Sequence, residues 1–212
     1  MTAVTIAIVG CGPGGEECLT PEARRAIEEA EVLVGARRIL EGLPRTTAER
    51  IVVGTDIAGA LEALAPRVGR QRIAVVVSGD PGACSLAQPV IRCFGREACR
   101  VIPGISAVQV AFARLGLDWF DATLLSAHEG VPSATAAALA GARKIAVLAG
   151  NPASLPWLRE LGRALAASHA IVVCEELTLP GERVRRVGAE ELAEMPLSPR
   201  TIVLFVSREA LA

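Results

Sequence analysis

Tyrosine is absent from this chain, and only four phenylalanines and two tryptophans stand among its 212 residues. So little aromatic surface leaves almost nothing on which nucleic-acid bases could stack. A net charge of −1 adds no pull toward a phosphate backbone, so no nucleic-acid partner is expected. No apolar run approaches the roughly 18 residues needed to cross a bilayer. The longest, around Ile105–Ala113, is broken by Ser106 and Gln109, so no membrane partner is expected either. A basic leader with a small-residue cleavage site is also missing, and a cytoplasmic protein is expected. The six cysteines show no CxxC spacing, which argues against zinc and against a disulfide framework. Free thiols in a reducing compartment are the expectation, with no metal site.

Hydrophobic residues nevertheless make up 51% of the chain. Parallel strands buried on both faces account for such an excess. In the first half, short β-type runs at Val4–Val9, Glu31–Val34, Glu49–Val53, Arg72–Ser78 and Cys99–Pro103 alternate with helical patterns. Thr20-Pro21-Glu22 is a helix start, with Thr as N-cap and Pro at the first helical position. Beyond Gly116–Asp121 the second half carries strands at Ala122–Ser126, Lys144–Ala149, Ala170–Cys174, Arg183–Val187 and Thr201–Val206. The last two read as an antiparallel hairpin, since no long helix separates them. The expected architecture is α/β in two domains, residues 1–115 and 121–212.

Three glycine turns follow first-half strands: Gly10-Cys11-Gly12-Pro13-Gly14-Gly15, Ser78-Gly79-Asp80-Pro81-Gly82 and Pro103-Gly104-Ile105-Ser106. Glycine lets a ligand approach the main chain closely, and three such turns at strand ends imply a small-molecule site. The first turn spells GxGxxG, yet a dinucleotide site needs its helix to begin almost at once. Here the helix start is Thr20, and Glu16 and Glu17 would face the phosphates. The acidic ribose ligand is replaced by Arg37-Arg38, which leaves an NADP-dependent oxidoreductase as a rival reading. A donor with little anionic character suits these turns better. S-adenosylmethionine is one, and transfer of its methyl group depends mainly on positioning and exclusion of water.

The run Val9–Ala23, with its G-x-G-P-G turn followed by Leu19-Thr20, resembles the opening signature of the tetrapyrrole (corrin/porphyrin) methylases. Ser78-Gly79-Asp80-Pro81 resembles the family's GDP loop, and Pro103–Ala107 its P-G-[IV]-S-[SA] segment. Ser126–Gly130, Leu148–Pro152 and Glu175–Thr178 are together similar to the subgroup that methylates carbon 5 of a precorrin ring in cobalamin synthesis. One departure is Ser126-Ala127-His128-Glu129-Gly130, where members often carry an arginine after the glycine.

The resemblance implies a cofactor folded in a cleft between the two domains. It places Pro13, Ser78, Gly79, Asp80, Ser106, Ala107, Leu148, Ala149, Gly150, Leu177 and Thr178 against S-adenosylmethionine or its product S-adenosylhomocysteine. The residues alone allow plainer roles: Pro13 as a turn stiffener, Asp80 as a local cap, Ser106 as an N-cap, Leu148–Gly150 as core. His128, one of two histidines, is the candidate catalytic residue, able to bind a carboxylate or move a proton. A carboxylate-rich tetrapyrrole substrate calls for cationic residues, with Arg96, Arg100, Arg114, Arg143, Lys144, Arg183, Arg185 and Arg186 as candidates. The resemblance also implies a homodimer, and a separate partner for carbon-15 methylation and decarboxylation. Methylases of the same superfamily acting on uroporphyrinogen, diphthine or ribosomal RNA are the alternatives within the class.

Overall fold

The computed structural model describes residues 6–83, 85–128 and 130–211. The chain divides into two compact units, Met1–Ser106 and Ala107–Ala212.

In the first unit, β1 (Ile6–Gly10), β2 (Val32–Gly35), β3 (Glu49–Val52), β4 (Ile73–Val77) and β5 (Cys99–Ile102) form one parallel sheet in the order β3-β2-β4-β1-β5. Every residue of β4 is buried, as a central parallel strand requires. Helices α1 (Pro21–Glu28), α2 (Arg37–Glu41), α3 (Ile57–Leu64) and α4 (Ala87–Phe94) cover the sheet. Thr20 caps α1 by accepting the Ala23 amide at 3.1 Å, with Pro21 at the first helical position.

Side-chain alternation along the strands decides which helix covers which face. Val9, Leu33 and Val76 pack with Ala23 and Ile27 of α1 and Leu40 of α2. Ile6, Ile8, Val75 and Val77 pack with Leu61 and Leu64 of α3 and Ala87 and Val90 of α4. The chain therefore leaves β1 over one face and β4 over the other, and these two strands are neighbours. That is a topological switch point, where the carboxyl ends of the strands diverge into a crevice.

The second unit begins with α5 (Ala107–Arg114), followed by β6 (Ala122–Ser126), α6 (Ala136–Leu139), β7 (Lys144–Ala149), α7 (Leu155–Leu165), β8 (His169–Glu175), β9 (Arg183–Val187), α8 (Ala189–Glu194) and β10 (Thr201–Ser207). Reading α5 from sequence as the last helix of the first half differs from what it packs on. Its Val108, Val110, Ala111 and Phe112 join Val172, Cys174 and Leu204 in a second-unit core.

The sheet order is β6-β7-β10-β8-β9. The expected hairpin between the last two strands does not form. β9 pairs antiparallel with β8, and β10 inserts between β7 and β8, antiparallel to both. The cause is burial. Thr201–Val206 is buried on both faces and needs neighbours on each side, whereas β9 exposes Arg183, Arg185 and Arg186 and serves as an edge.

Candidate functional site

The three glycine turns of the first unit meet at the carboxyl ends of adjacent strands β4, β1 and β5. Gly12 and Gly79 form an antiparallel bridge across the switch point: the Gly79 amide donates to the Gly12 carbonyl at 2.8 Å, and the Gly12 amide to the Gly79 carbonyl at 3.2 Å. Both residues sit at positive φ, 74° and 65°, where a side chain would be strained. A Cβ on Gly10 would lie 2.6 Å from the Gly104 nitrogen and 2.8 Å from the Gly79 carbonyl oxygen. Main chain from all three turns thus packs without room for one methyl group.

Asp80 ties two of these turns together. One carboxylate oxygen accepts the Gly82 amide at 2.8 Å and the other accepts the Gly104 amide at 3.1 Å. It therefore caps local backbone and also spans to the third turn. Pro13 is buried, Ser78 is exposed, and Gly79 and Ser106 are partly exposed. Burial pushes the Cys11 thiol up to about 12, which leaves it protonated and inert at neutral pH. After Gly15 the chain makes a short 3-10 turn, Glu16–Cys18, and α1 begins only at Pro21. Among the described residues, no helix opens directly on this first turn as a pyrophosphate site requires. A fan of main-chain groups beside one carboxylate that already has partners fits an uncharged nucleoside and a sulfonium better than a diphosphate.

In the second unit, strand register brings the remaining predicted residues to one end of the sheet. Ser126 pairs with Leu148, Leu148 with Ile202, Ala149 with Thr201, and Thr201 with Glu175. The segments carrying His128, Leu148–Gly150 and Leu177–Thr178 all leave the sheet there. Ala107 and Leu148 pack against one apolar cluster that contains Val108, Phe112 and Leu177. Three of the predicted cofactor contacts, from separate segments, thus share a core.

His128 is exposed, and its ring lies over Gly150: a Cβ on that glycine would meet Cε1 at 2.5 Å and Nδ1 at 2.7 Å. Two residues that sequence reading missed secure its loop. Buried Ser154 donates to the Ala127 and Gly130 carbonyls at 3.1 and 2.9 Å, and Asn151 Nδ2 donates to the His128 carbonyl at 3.2 Å. Glu129 lies outside the described residues. The other histidine, His169, is buried, with Nε2 2.8 Å from the Ala142 carbonyl and Nδ1 2.8 Å from Ser168 Oγ. It is structural, fixed at the start of β8 by these two contacts.

The cationic candidates separate by position. Arg100 pairs with Glu22, and Lys144 is buried between Asp118 and Asp121 at the start of β7, away from Ala149. Arg183 and Arg185 reach buried Glu175, at 3.4 and 3.1 Å. Arg200, also overlooked, sits just before β10 and holds Glu176 at 2.5 Å. The insertion of β10 beside β8 is what brings it to Glu176. Among the described residues no cluster of His, Cys, Asp or Glu could hold a metal ion, and no helix is long and apolar enough to cross a membrane.

The cobalt-precorrin-7 C(5)-methyltransferase of Salmonella typhimurium is 36% identical over 183 residues, covering 84% of this chain and 88% of that protein. The crystal structure of the cobalamin biosynthesis precorrin-6Y methylase from Archaeoglobus fulgidus superposes with a TM-score of 0.71 at 27% identity, over 97% of this chain and 99% of that one. Uroporphyrin-III C-methyl transferase from Thermus thermophilus, crystallised with S-adenyl homocysteine, shares the fold with a TM-score of 0.73 at 22% identity, over 95% and 91% of the two chains. The profile of the tetrapyrrole (corrin/porphyrin) methylases matches residues 5–193, and this chain belongs to that family.

Proposed function

We propose that this protein transfers a methyl group from S-adenosylmethionine to carbon 5 of a precorrin-type ring in cobalamin synthesis. The observation that carries the reading is the 36% identity to the Salmonella C(5)-methyltransferase across most of both chains. The convergence of three glycine turns on one switch point supports it independently. The uroporphyrin and diphthine readings rest on solved structures only 22% and 14% identical to this chain.

In this reading Pro13, Ser78, Gly79, Asp80 and Ser106 of the first unit, and Ala107, Leu148, Ala149, Gly150, Leu177 and Thr178 of the second, bind the donor. The donor, when bound, would supply an electrophilic methyl carbon open to in-line attack by a ring carbon, with the sulfur leaving with the bonding pair as S-adenosylhomocysteine. Asp80 acts by holding the second and third turns in register. His128 binds a substrate carboxylate or takes up the proton released as the ring is alkylated. Arg183, Arg185 and Arg200 are the cationic residues placed at the same sheet end as His128, and they are assigned to the substrate's carboxylates.

Two further assignments belong to the proposal. A homodimer is favoured by Phe120, 96% exposed, and by Leu124, 51% exposed on edge strand β6. A cytoplasmic location is favoured by the free cysteines Cys11, Cys18, Cys93, Cys99 and Cys174. The carbon-15 step is assigned to a separate protein, since the Salmonella relative is named for carbon 5 alone. The deciding experiment is methyl transfer from labelled S-adenosylmethionine to the precorrin-7-stage substrate, with and without cobalt. Label in the ring at carbon 5 is the expected result; label on another ring position, or none, ends the reading.

A further inference from the structure

Glu176 and Thr178 have φ of 52° and 65°, the only positive values among the described residues other than glycine. For a β-branched threonine that conformation is sterically unfavourable, and it persists only where surrounding contacts impose it. Here the contacts are specific. The Thr178 amide donates to Glu182 Oε2 at 2.7 Å. Glu182 in turn receives both arms of Arg114, Nε to Oε1 at 2.5 Å and Nη2 to Oε2 at 3.1 Å. Arg114 is the last residue of α5 and Ala107 the first. From the other side Arg200 holds the Glu176 carboxylate, with Nε 3.0 Å from Oε1. Between these clamps Leu177 drops its side chain into the core it shares with Val108 and Phe112.

We infer that Glu182 and Arg114 are positioning residues for the methyl donor: they hold the Leu177–Thr178 main chain in its left-handed turn and in register with Ala107. This rests on the proposal that these three residues contact the donor. The turn is built before any ligand arrives, so its ordering does not subtract from binding. Breaking the clamp lets Thr178 relax out of the left-handed region, and the donor must then restore it.

The test is calorimetric titration of S-adenosylhomocysteine, with steady-state kinetics for the donor, on wild type, Glu182→Ala, Thr178→Gly and the double variant. Glu182→Ala is expected to weaken binding about 10-fold, which corresponds to ~1.4 kcal/mol, and to raise KM for the donor with kcat at saturation nearly unchanged. Glycine takes φ near +65° without strain. Thr178→Gly therefore serves as the background of the cycle: whatever affinity it loses by itself, Glu182→Ala should cost much less there than in the wild-type chain. A purely structural role would lower Tm in both backgrounds and give no such difference. Should Glu182→Ala not fold, Arg114→Gln carries the same test with a smaller expected loss. Wild-type affinity in the folded variant, or a loss as large in the glycine background, overturns the inference while leaving the donor site in place. No binding of S-adenosylhomocysteine to wild type removes the donor reading itself, and this inference with it.

Discussion

The carboxylate of Asp80 accepts the Gly104 amide at 3.1 Å and so joins the turn after β4 to the turn after β5. Its second oxygen holds Gly82. Removing the side chain leaves two main-chain amides without an acceptor and frees the third turn to move. Hydrogen bonds to a charged group are each worth roughly 1.5–3 kcal/mol. Asp80→Ala should weaken S-adenosylhomocysteine at least about 10-fold by calorimetry, with Asp80→Asn intermediate. An unchanged Kd in the alanine variant would take Asp80 out of the site.

Packing between turns makes a second prediction. A methyl group on Gly10 would press on main-chain atoms of Gly104 and Gly79, which cannot rotate away. Gly10→Ala should cost about 1–3 kcal/mol of stability, the range for overpacked interiors, and weaken donor binding as well. Gly54→Ala is the control, since nothing lies within 4 Å of the added carbon. Thermal denaturation separates the two, and a Gly10 variant as stable as the Gly54 variant contradicts the described contact.

His128 can be displaced without being replaced. Gly150→Ala puts a methyl group 2.5 Å from the imidazole Cε1 and 2.9 Å from the Pro199 carbonyl oxygen, so the ring, the more easily moved of the two, must shift. The expected result is lower kcat for methyl transfer by about 100-fold, the low end of the range for losing an acid–base group, with a smaller effect on donor Kd. If kcat holds, His128 does not act on the substrate from this position.

Charge pairs define a pH range. Arg114 and the Thr178 amide hold the Glu182 carboxyl below its ordinary 4.5, and Lys144 holds Asp118 below 3.8. A carboxylate lowered on folding stabilises the native state above its ordinary value, and that contribution is lost as pH falls through the lowered one. Lys144 is raised above 10.5 by Asp118 and Asp121, so its share is complete at neutral pH and is lost only as pH rises past its raised value. Urea midpoints should hold steady near neutrality and drop in strong acid. Lys144→Met should shrink the acid drop; a variant with the full drop would show that Lys144 adds nothing there.

Much of the first unit was legible locally. Apolar runs such as Ile73–Val77 carry their own burial requirement, and Thr20-Pro21 marks a helix start by chemistry within four residues. The glycine turns were legible as turns. That Gly10, Gly79 and Gly104 touch one another was not, because contact depends on β1 lying between β4 and β5. In the second unit the strands were found but their order was misread. β9 and β10 are close in sequence, yet burial on both faces draws β10 into the middle of the sheet. Arg200 and Glu182 escaped notice for the same reason: each acts through a partner far along the chain.

The sequence by itself determined the elements, the turn chemistry and the family, because propensity, periodicity and short motifs are properties of neighbouring residues. Only the tertiary structure decided that Asp80 bridges two turns, that α5 packs in the second unit, and that Glu182 holds Thr178 in a left-handed turn. Those facts depend on long-range pairing. Strand order is set by the burial of whole faces, a property no short stretch of residues carries alone.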